Sequence, residues 1–304
     1  MKVSLIVMAA GLGSRYGGDK QIDGVGPNNE ILMEYAIYDA IRAGFNRVVF
    51  IIKPEMRELM DRLCGYVAEK RAADGSAVEM AYAYQDFSSV PAFYKIPAER
   101  TKPFGTVHAL LCAETAVEGP CCVINADDYY GIDAYQTMYK ALQSLPAEGH
   151  AAMVGYLLKN TASLHGTVSR GVCSMKDGKL MGIRETKKIQ LYPDGTLRDL
   201  TRECVLAPDS VVSMNFWGFA PGIFPVLRAY FEHFLHTEAG EDLTAECLLP
   251  VMVDHEMQTD QMEVAVLQSE DKWFGMTYQE DRELVREELR KLHEQGVYPP
   301  TLRT

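Results

Sequence analysis

The sequence predicts an α/β protein with a doubly wound, Rossmann-like mixed sheet, and three observations carry that expectation. An apolar strand-like run at residues 3–8 (VSLIVM) feeds directly into a glycine-rich loop. Apolar strand-like runs then alternate with helix-like segments through residue 158. At residues 166–192 the alternation breaks and a hairpin pattern begins, which adds a small antiparallel subdomain before C-terminal helices.

The first strand ends at Ala9 and Ala10, small enough for tight packing, and then Gly11, Gly13, Gly17 and Gly18 follow with Arg15 and Lys20 among them. Glycine accepts positive φ and lets backbone approach a ligand closely. A loop built this way can turn several N–H groups onto one phosphate, and the two cations would add charge to that grip. Neither common phosphate motif fits. The P-loop pattern places a lysine where Asp19 stands, and the dinucleotide fingerprint places a glycine where Tyr16 stands. A looser Gly11, Gly13, Gly17 spacing keeps an NADP-dependent reductase as a rival reading, with Lys53 rather than an acid ending the second strand.

Residues 24–30 are turn-rich, and residues 31–43 read as an amphipathic helix closed by Gly44. Residues 47–53 are an apolar strand suited to a sheet covered on both faces. Pro54 starts a helix over 54–70, and 77–85 is a third strand, completing a β-α-β-α-β unit. Residues 86–104 carry Pro91, Pro97 and Pro103 without a period and read as a long functional loop. A helix follows at 105–115, then a strand at 120–126 with Asp127 and Asp128 at its carboxyl end, where ligands bind in open α/β sheets. The spacing next predicts a helix at 131–144, a strand at 151–158 and a hairpin turning at Asp177-Gly178. A strand at 211–220, helices at 221–236 and around 243–249, a strand at 262–268 and a charged helix at 279–295 complete the chain. No linker forces a division. The expectation is one domain over 1–304, with a nucleotide-binding half at 1–160, a second half at 161–240 and a C-terminal tail at 241–304.

A chain of 304 residues, 47% hydrophobic and 24% charged, has ample material for one large core. Its net charge of −12 argues against nucleic acid or anionic membrane as partner, since both need basic patches. The seven cysteines form no CxxC pair and suit a reduced protein. The apolar run near the start is short for a signal peptide, and no run is long enough for a membrane helix, so a cytoplasmic protein is expected.

Asp127 is the second key element. A strand-end carboxylate facing a phosphate loop suits Mg²⁺, which takes hard oxygen ligands and often uses one or two carboxylates plus substrate phosphates. Asp128 reads as structural or secondary. His108 could be read as a base but more simply packs at a helix start, and Phe216, Trp217 and Phe219 alternate as strand residues in a core do.

Several separated motifs share a resemblance. AAGLGSRYGGDKQ resembles the signature loop of sugar-phosphate nucleotidylyltransferases (NDP-sugar pyrophosphorylases). FGTVHALLCAE, NADDYYG and RGVCSMKDGKLMGIRETK are similar, in the family's order, to its base-binding helix start, its acidic strand end and its sugar-side hairpin. The motifs are closest to UTP–sugar-1-phosphate uridylyltransferases. The resemblance implies the nucleotide-diphospho-sugar transferase fold and Mg²⁺-dependent transfer of a nucleotidyl group onto a sugar-1-phosphate or similar phosphorylated small molecule, with release of pyrophosphate. It assigns Ala9, Ala10, Gly11, Leu12 and Gly13 to the nucleotide, Arg15 and Lys20 to its phosphates, and Gln85, Gly105 and Thr106 to the base end. Asp127 would hold the metal, while Gly171, Glu185 and Lys187 would face the sugar phosphate, with Trp217 flanking the sugar. Two departures stand out. Gly275 occupies the place expected for a second metal-binding aspartate, for which Asp271 or Asp281 could substitute, and ETKK replaces the hairpin's usual EKP. Gly275 also keeps a non-catalytic nucleotide-sugar sensor of the same fold in view. Base identity, sugar identity and homo-oligomerisation stay open.

Overall fold

A computed structural model describes residues 1–11, 24–240, 242–269, 271–275 and 280–303. The first half is the expected unit: β1 (Ser4–Met8), α1 (Leu32–Ala43), β2 (Arg47–Ile52), α2 (Arg57–Cys64), β3 (Glu79–Tyr84), α3 (Thr106–Cys112) and β4 (Cys121–Asn125). A two-residue strand β5 (Asp128–Tyr129) then precedes α4 (Ile132–Ser144) and β6 (His150–Leu157). The second half runs β7 (Val168–Lys176), β8 (Lys179–Leu191), β9 (Leu197–Asp199), β10 (Cys204–Leu206), β11 (Val211–Phe219) and α5 (Ile223–Phe234). It closes with α6 (Leu249–Gln258), β12 (Glu263–Gln268), β13 (Phe274–Gly275) and α7 (Asp281–Glu294).

Eleven strands form one sheet in the order β10-β9-β8-β12-β6-β11-β4-β1-β2-β3, with β7 bonded to both β11 and β8. β4, β1, β2 and β3 are mutually parallel, and β11 is antiparallel to β4 and β6. The sheet is therefore mixed, as the sequence predicts. The hairpin β7–β8, turning at Asp177 (φ 51°) and Gly178 (φ 77°), extends this same sheet.

Alternation along the strands feeds a core on each face. In β1, Leu5 and Val7 pack with Met33 and Ile37 of α1 and Tyr135 and Met138 of α4. Ile6 points the other way, into a core with Val107 and Leu110 of α3, Leu227 and Phe231 of α5 and Met252 of α6. Apolar side chains on both faces are what keep a parallel strand buried between helix layers. A third cluster, with Val285 and Leu289 of α7 plus Tyr298 and Leu302, docks on Leu32 and Tyr35 of α1.

The helix expected around 243–249 instead begins at Leu249, with Pro250 in its first turn. Proline is well placed there because it lacks the N–H that a first turn leaves unpaired. Upstream, Cys247 is extended into hydrogen bonds, its N donating to Phe104 O at 2.7 Å and its O accepting from Val107 N at 3.1 Å. Among the described residues no helix is long and apolar enough to cross a membrane.

Candidate active site

The carboxyl ends of β4, β1, β2 and β3 lie side by side in that order, and a different chemical group leaves the sheet at each. β1 and β4 are in register at Met8 and Asn125, and Ala126 N donates to Met8 O at 3.3 Å. The segments Ala9-Ala10-Gly11 and Ala126-Asp127 therefore start out as neighbours. On the other side of β1, Ala9 N donates to Ile51 O of β2 at 2.9 Å, and Gln85 N donates to Ile52 O at 2.9 Å. Ala9 and Ala10 are buried, whereas Gly11 is exposed with open space where a Cβ would stand. The chain thus leaves the core at the first glycine. Leu12, Gly13, Arg15 and Lys20 lie outside the described residues.

Where the described chain resumes, it is held by the C-terminal segment. Arg282 and Arg286 of α7 donate to Gly24 O, Arg303 donates to Asn29 O, and Asn28 Nδ2 donates to Pro300 O. Arg303 also forks onto the buried Glu34 carboxylate at 2.7 and 2.9 Å, a charge-assisted pair of fixed geometry.

At the base end, Gln85 is half-buried and its Nε2 donates to Gly105 O at 3.4 Å. Gly105 caps α3 at φ +91°, and a Cβ there would lie 2.7 Å from Cys247 O. Its glycine is thus required by the backbone that packs against it. The Thr106 hydroxyl accepts from Leu249 N at 2.7 Å and so joins α3 to the start of α6. His108 packs: its ring is buried, stacks on Phe231 at 5.3 Å and contacts the Ser89 hydroxyl through Nε2 at 2.9 Å. Burial lowers its pKa from 6.5 to about 4.

Asp127 sits half-buried in the turn after β4. Its neighbour Asp128 is buried, and Asp128 Oδ2 accepts from Asn125 Nδ2 at 2.8 Å and from the Tyr130 hydroxyl at 3.1 Å. Asp128 is thereby committed to holding the turn, the structural role its sequence context allowed. β5 pairs with β13, setting Gly275 opposite Asp128, and a Cβ on Gly275 would meet Asp128 Oδ1 at 2.6 Å. The position adjoins the acidic turn but accommodates no side chain. Asp271 accepts from the backbone N of Asp133 and Ala134, stabilising the start of α4, and Asp281 accepts from Ser163 Oγ at 3.0 Å. Among the described residues no group of three or more His, Cys, Asp or Glu is placed to hold a metal.

On the other side of the sheet centre, Gly171 of β7 lies directly across from Glu185 of β8 and pairs with Ser213 of β11. A Cβ on Gly171 would reach 2.9 Å from Ile183 and 3.9 Å from Glu185 Oε2, so the glycine leaves room beside that carboxylate. Partial withdrawal from water raises the Glu185 pKa, and the Lys187 and Arg170 cations oppose the rise. Lys187 is exposed, two residues along the same strand. Trp217 requires a correction. It is fully buried among Val123, Phe219 and the other residues of the α3/α5/α6 core, so it offers no surface to a sugar and drops out of the substrate-binding set. Its position in β11 puts it on the helix-covered face, as strict alternation with Phe216 requires.

Sequence reasoning passed over the Asn125–Asp128–Tyr130 network and the β5–β13 pair. The only signal was NADDYYG itself, in which nothing singles out Asn125 and Tyr130 as the partners of Asp128, while Phe274 and Gly275 lie far along the chain.

Residues 5–190 match the nucleotidyl transferase family. No curated protein matches the chain. Among solved structures, a UDP-glucose pyrophosphorylase complexed with UDP-glucose is similar at 16% identity and TM-score 0.59, over 96% of this chain and 99% of its own. A putative glucose-1-phosphate thymidylyltransferase from Bacillus anthracis, in complex with a sucrose, gives 14% identity and TM-score 0.61 over 95% of both chains. The inositol-1-phosphate CTP transferase from T. maritima gives 12% identity and TM-score 0.55, over 95% of this chain and 96% of its own. These likenesses establish the fold, and the match over residues 5–190 establishes the kinship: the chain belongs to the nucleotidyl transferase family.

Proposed function

We propose that this enzyme transfers a nucleotidyl group from a nucleoside triphosphate to a sugar-1-phosphate, or a similar phosphorylated small molecule, and releases pyrophosphate. The observation that carries the reading is the row of strand ends in which Asp127, Gly11 and Gln85 follow one another across β4, β1 and β3. A triphosphate laid along that row has its base at Gln85 and Gly105 and its phosphates over the loop that begins at Gly11. Arg15 and Lys20 then bind the phosphates, and Glu185 and Lys187 receive the acceptor, Lys187 its phosphate and Glu185 its hydroxyl groups.

In the reaction an acceptor phosphate oxygen attacks the α-phosphorus in line, a new P–O bond forms, and the bond to the β-phosphate oxygen breaks. The electron pair leaves on pyrophosphate. The attacking oxygen is already ionised, so no general base is needed, and the neutral, buried His108 is left to packing. Holding both substrates in attack geometry and compensating phosphate charge supply most of the rate.

Magnesium is the cofactor we assign. One half-buried carboxylate at a strand end, beside a second already engaged in hydrogen bonds, fits the mode in which substrate phosphates provide most of the metal's oxygen ligands. Asp127 would hold the ion, which when bound supplies charge neutralisation at the phosphates. The names of the similar structures suggest the assay: UTP, dTTP and CTP as donors against glucose-1-phosphate and inositol-1-phosphate as acceptors, with pyrophosphate release as readout. Pyrophosphate that forms only when both substrates are present supports the reading. Stable nucleotide binding without pyrophosphate in any pairing overturns it.

A further inference from the structure

In the strand order β4-β1-β2-β3, the carboxyl end of β2 lies between the end of β1, where Ala9 and Gly11 follow, and Gln85 after β3, and the residue standing there is Lys53. Two backbone bonds fix this placement, Ala9 N to Ile51 O and Gln85 N to Ile52 O, both 2.9 Å. Lys53 is itself extended (φ −81°, ψ 150°), so the alternation of β2 runs on through it. Val48, Phe50 and Ile52 pack in the core under α1 and α4, while Val49 and Ile51 pack in the core under α3. Lys53 therefore projects on the α3 face, the face on which Gln85 reaches Gly105 O. It is half-buried, and with the described residues it makes no hydrogen bond or ion pair. An ammonium with no acceptor among the described residues keeps its donors for a ligand. Adjacent strands are about 4.8 Å apart, well within the reach of a lysine side chain toward whatever Gln85 touches.

We propose that Lys53 is a base-reading residue, donating a hydrogen bond to a ring carbonyl of the bound nucleotide beside Gln85. Lysine carries three donors and no acceptor. It can therefore favour uracil, thymine, cytosine or guanine, which all present a ring carbonyl, over adenine, which presents none. The inference rests on the nucleotidyl-transfer reading above. It assigns Lys53 to the base and not to the phosphates because β2 lies on the base side of β1, whereas the loop and Asp127 lie at β1 and β4.

The test is isothermal titration of the full chain with Mg²⁺ and, separately, UTP, dTTP, CTP, GTP, ATP and inorganic tripolyphosphate. Lys53→Met should bind the preferred carbonyl-bearing triphosphate about tenfold more weakly, the loss of one charge-assisted hydrogen bond. Its affinities for ATP and tripolyphosphate should stay at the wild-type values, so preference over ATP narrows by the same factor. Lys53→Gln keeps a donor and should retain part of the preference, and it serves as the test variant if Lys53→Met does not melt like the wild type. Unchanged affinity for the preferred triphosphate overturns the proposal. So does an equal loss for tripolyphosphate, which would make Lys53 a phosphate contact. A wild-type protein that binds none of these ligands instead overturns the nucleotidyl-transfer reading, and this inference with it.

Discussion

Gly105 shows how a residue assigned to a ligand from the sequence is also demanded by the backbone around it. Its positive φ of +91° and the Cys247 carbonyl 2.7 Å from a would-be Cβ mean that any side chain strains the α3 cap before it touches a nucleotide. Gly105→Ala should therefore destabilise the fold by more than about 1 kcal/mol, read as a lower urea midpoint. Gln85→Ala is the cleaner probe of the base end, because among the described residues the Gln85 side chain makes one long hydrogen bond, and its backbone bond to Ile52 survives the substitution. Asp127 admits two roles that separate experimentally. As the metal-holding carboxylate, Asp127→Asn should lower kcat by about 10²-fold or more, recover in part at high Mg²⁺, and keep the wild-type Tm. A large fall in Tm without magnesium rescue would make Asp127 a structural residue. His108 predicts a pH limb. Its folded-state pKa, near 4, lies below the ordinary 6.5, so above about 6.5 the ring is neutral in both states and the fold feels no penalty. As pH falls from about 6.5 to about 4 the unfolded state gains a proton that the folded state refuses, and stability drops by about 3 kcal/mol at most. Denaturation across that window checks this, and His108→Gln should flatten the limb.

Among the elements, those with a strong internal period were legible and those defined by distant partners were not. β1, β2 and β4 are apolar runs bounded by turn residues, α4 has one apolar face and α1 is apolar over most of its surface, so their sequences announce them. β9, β10, β5 and β13 are two or three residues long, too short to show a period, and β5 and β13 in addition meet from distant parts of the chain. The start of α6 was placed too early for a related reason: the chain before Leu249 is claimed by Phe104 and Val107, more than a hundred residues away. Asp271 belongs at this scale too. Its carboxylate accepts from Asp133 and Ala134 at the positive end of α4, and Gly131 leaves it room, since a Cβ there would fall 2.2 Å from Asp271 Cβ. Asp271→Ala should cost about 1–2 kcal/mol of stability and leave Mg²⁺-nucleotide affinity unchanged. A loss of metal-dependent affinity at unchanged Tm would instead make Asp271 the second metal carboxylate.

Over the whole molecule, the C-terminal segment is a support and not an appendage. The Tyr298 hydroxyl donates to the buried Asp39 carboxylate at 2.7 Å and lies 2.8 Å from the Tyr129 hydroxyl, one residue beyond Asp128. The same segment holds Gly24 and Asn29 on the far side of the signature loop. It thus contacts both the residue after Asp128 and the chain that resumes at Gly24. The sequence showed a charged helix here, but the bracing depends on Tyr298 and Arg303 meeting residues some 260 positions earlier, which periodicity cannot disclose. The doubly wound sheet and the crevice at its strand ends were legible because both follow from local alternation and strand order. The proposed acceptor residues Gly171 and Glu185 were less so, since they become a pair only through the register of β7 on β8. In the proposed reaction an acceptor phosphate oxygen attacks the α-phosphorus of a nucleoside triphosphate bound at these strand ends. The most direct test is ³¹P NMR of turnover with sugar-1-phosphate labelled with ¹⁸O on its phosphate. The account predicts label in the diphosphate of the nucleotide-sugar product and unlabelled pyrophosphate; label in the pyrophosphate, or nucleotide hydrolysis with no labelled product, would contradict it.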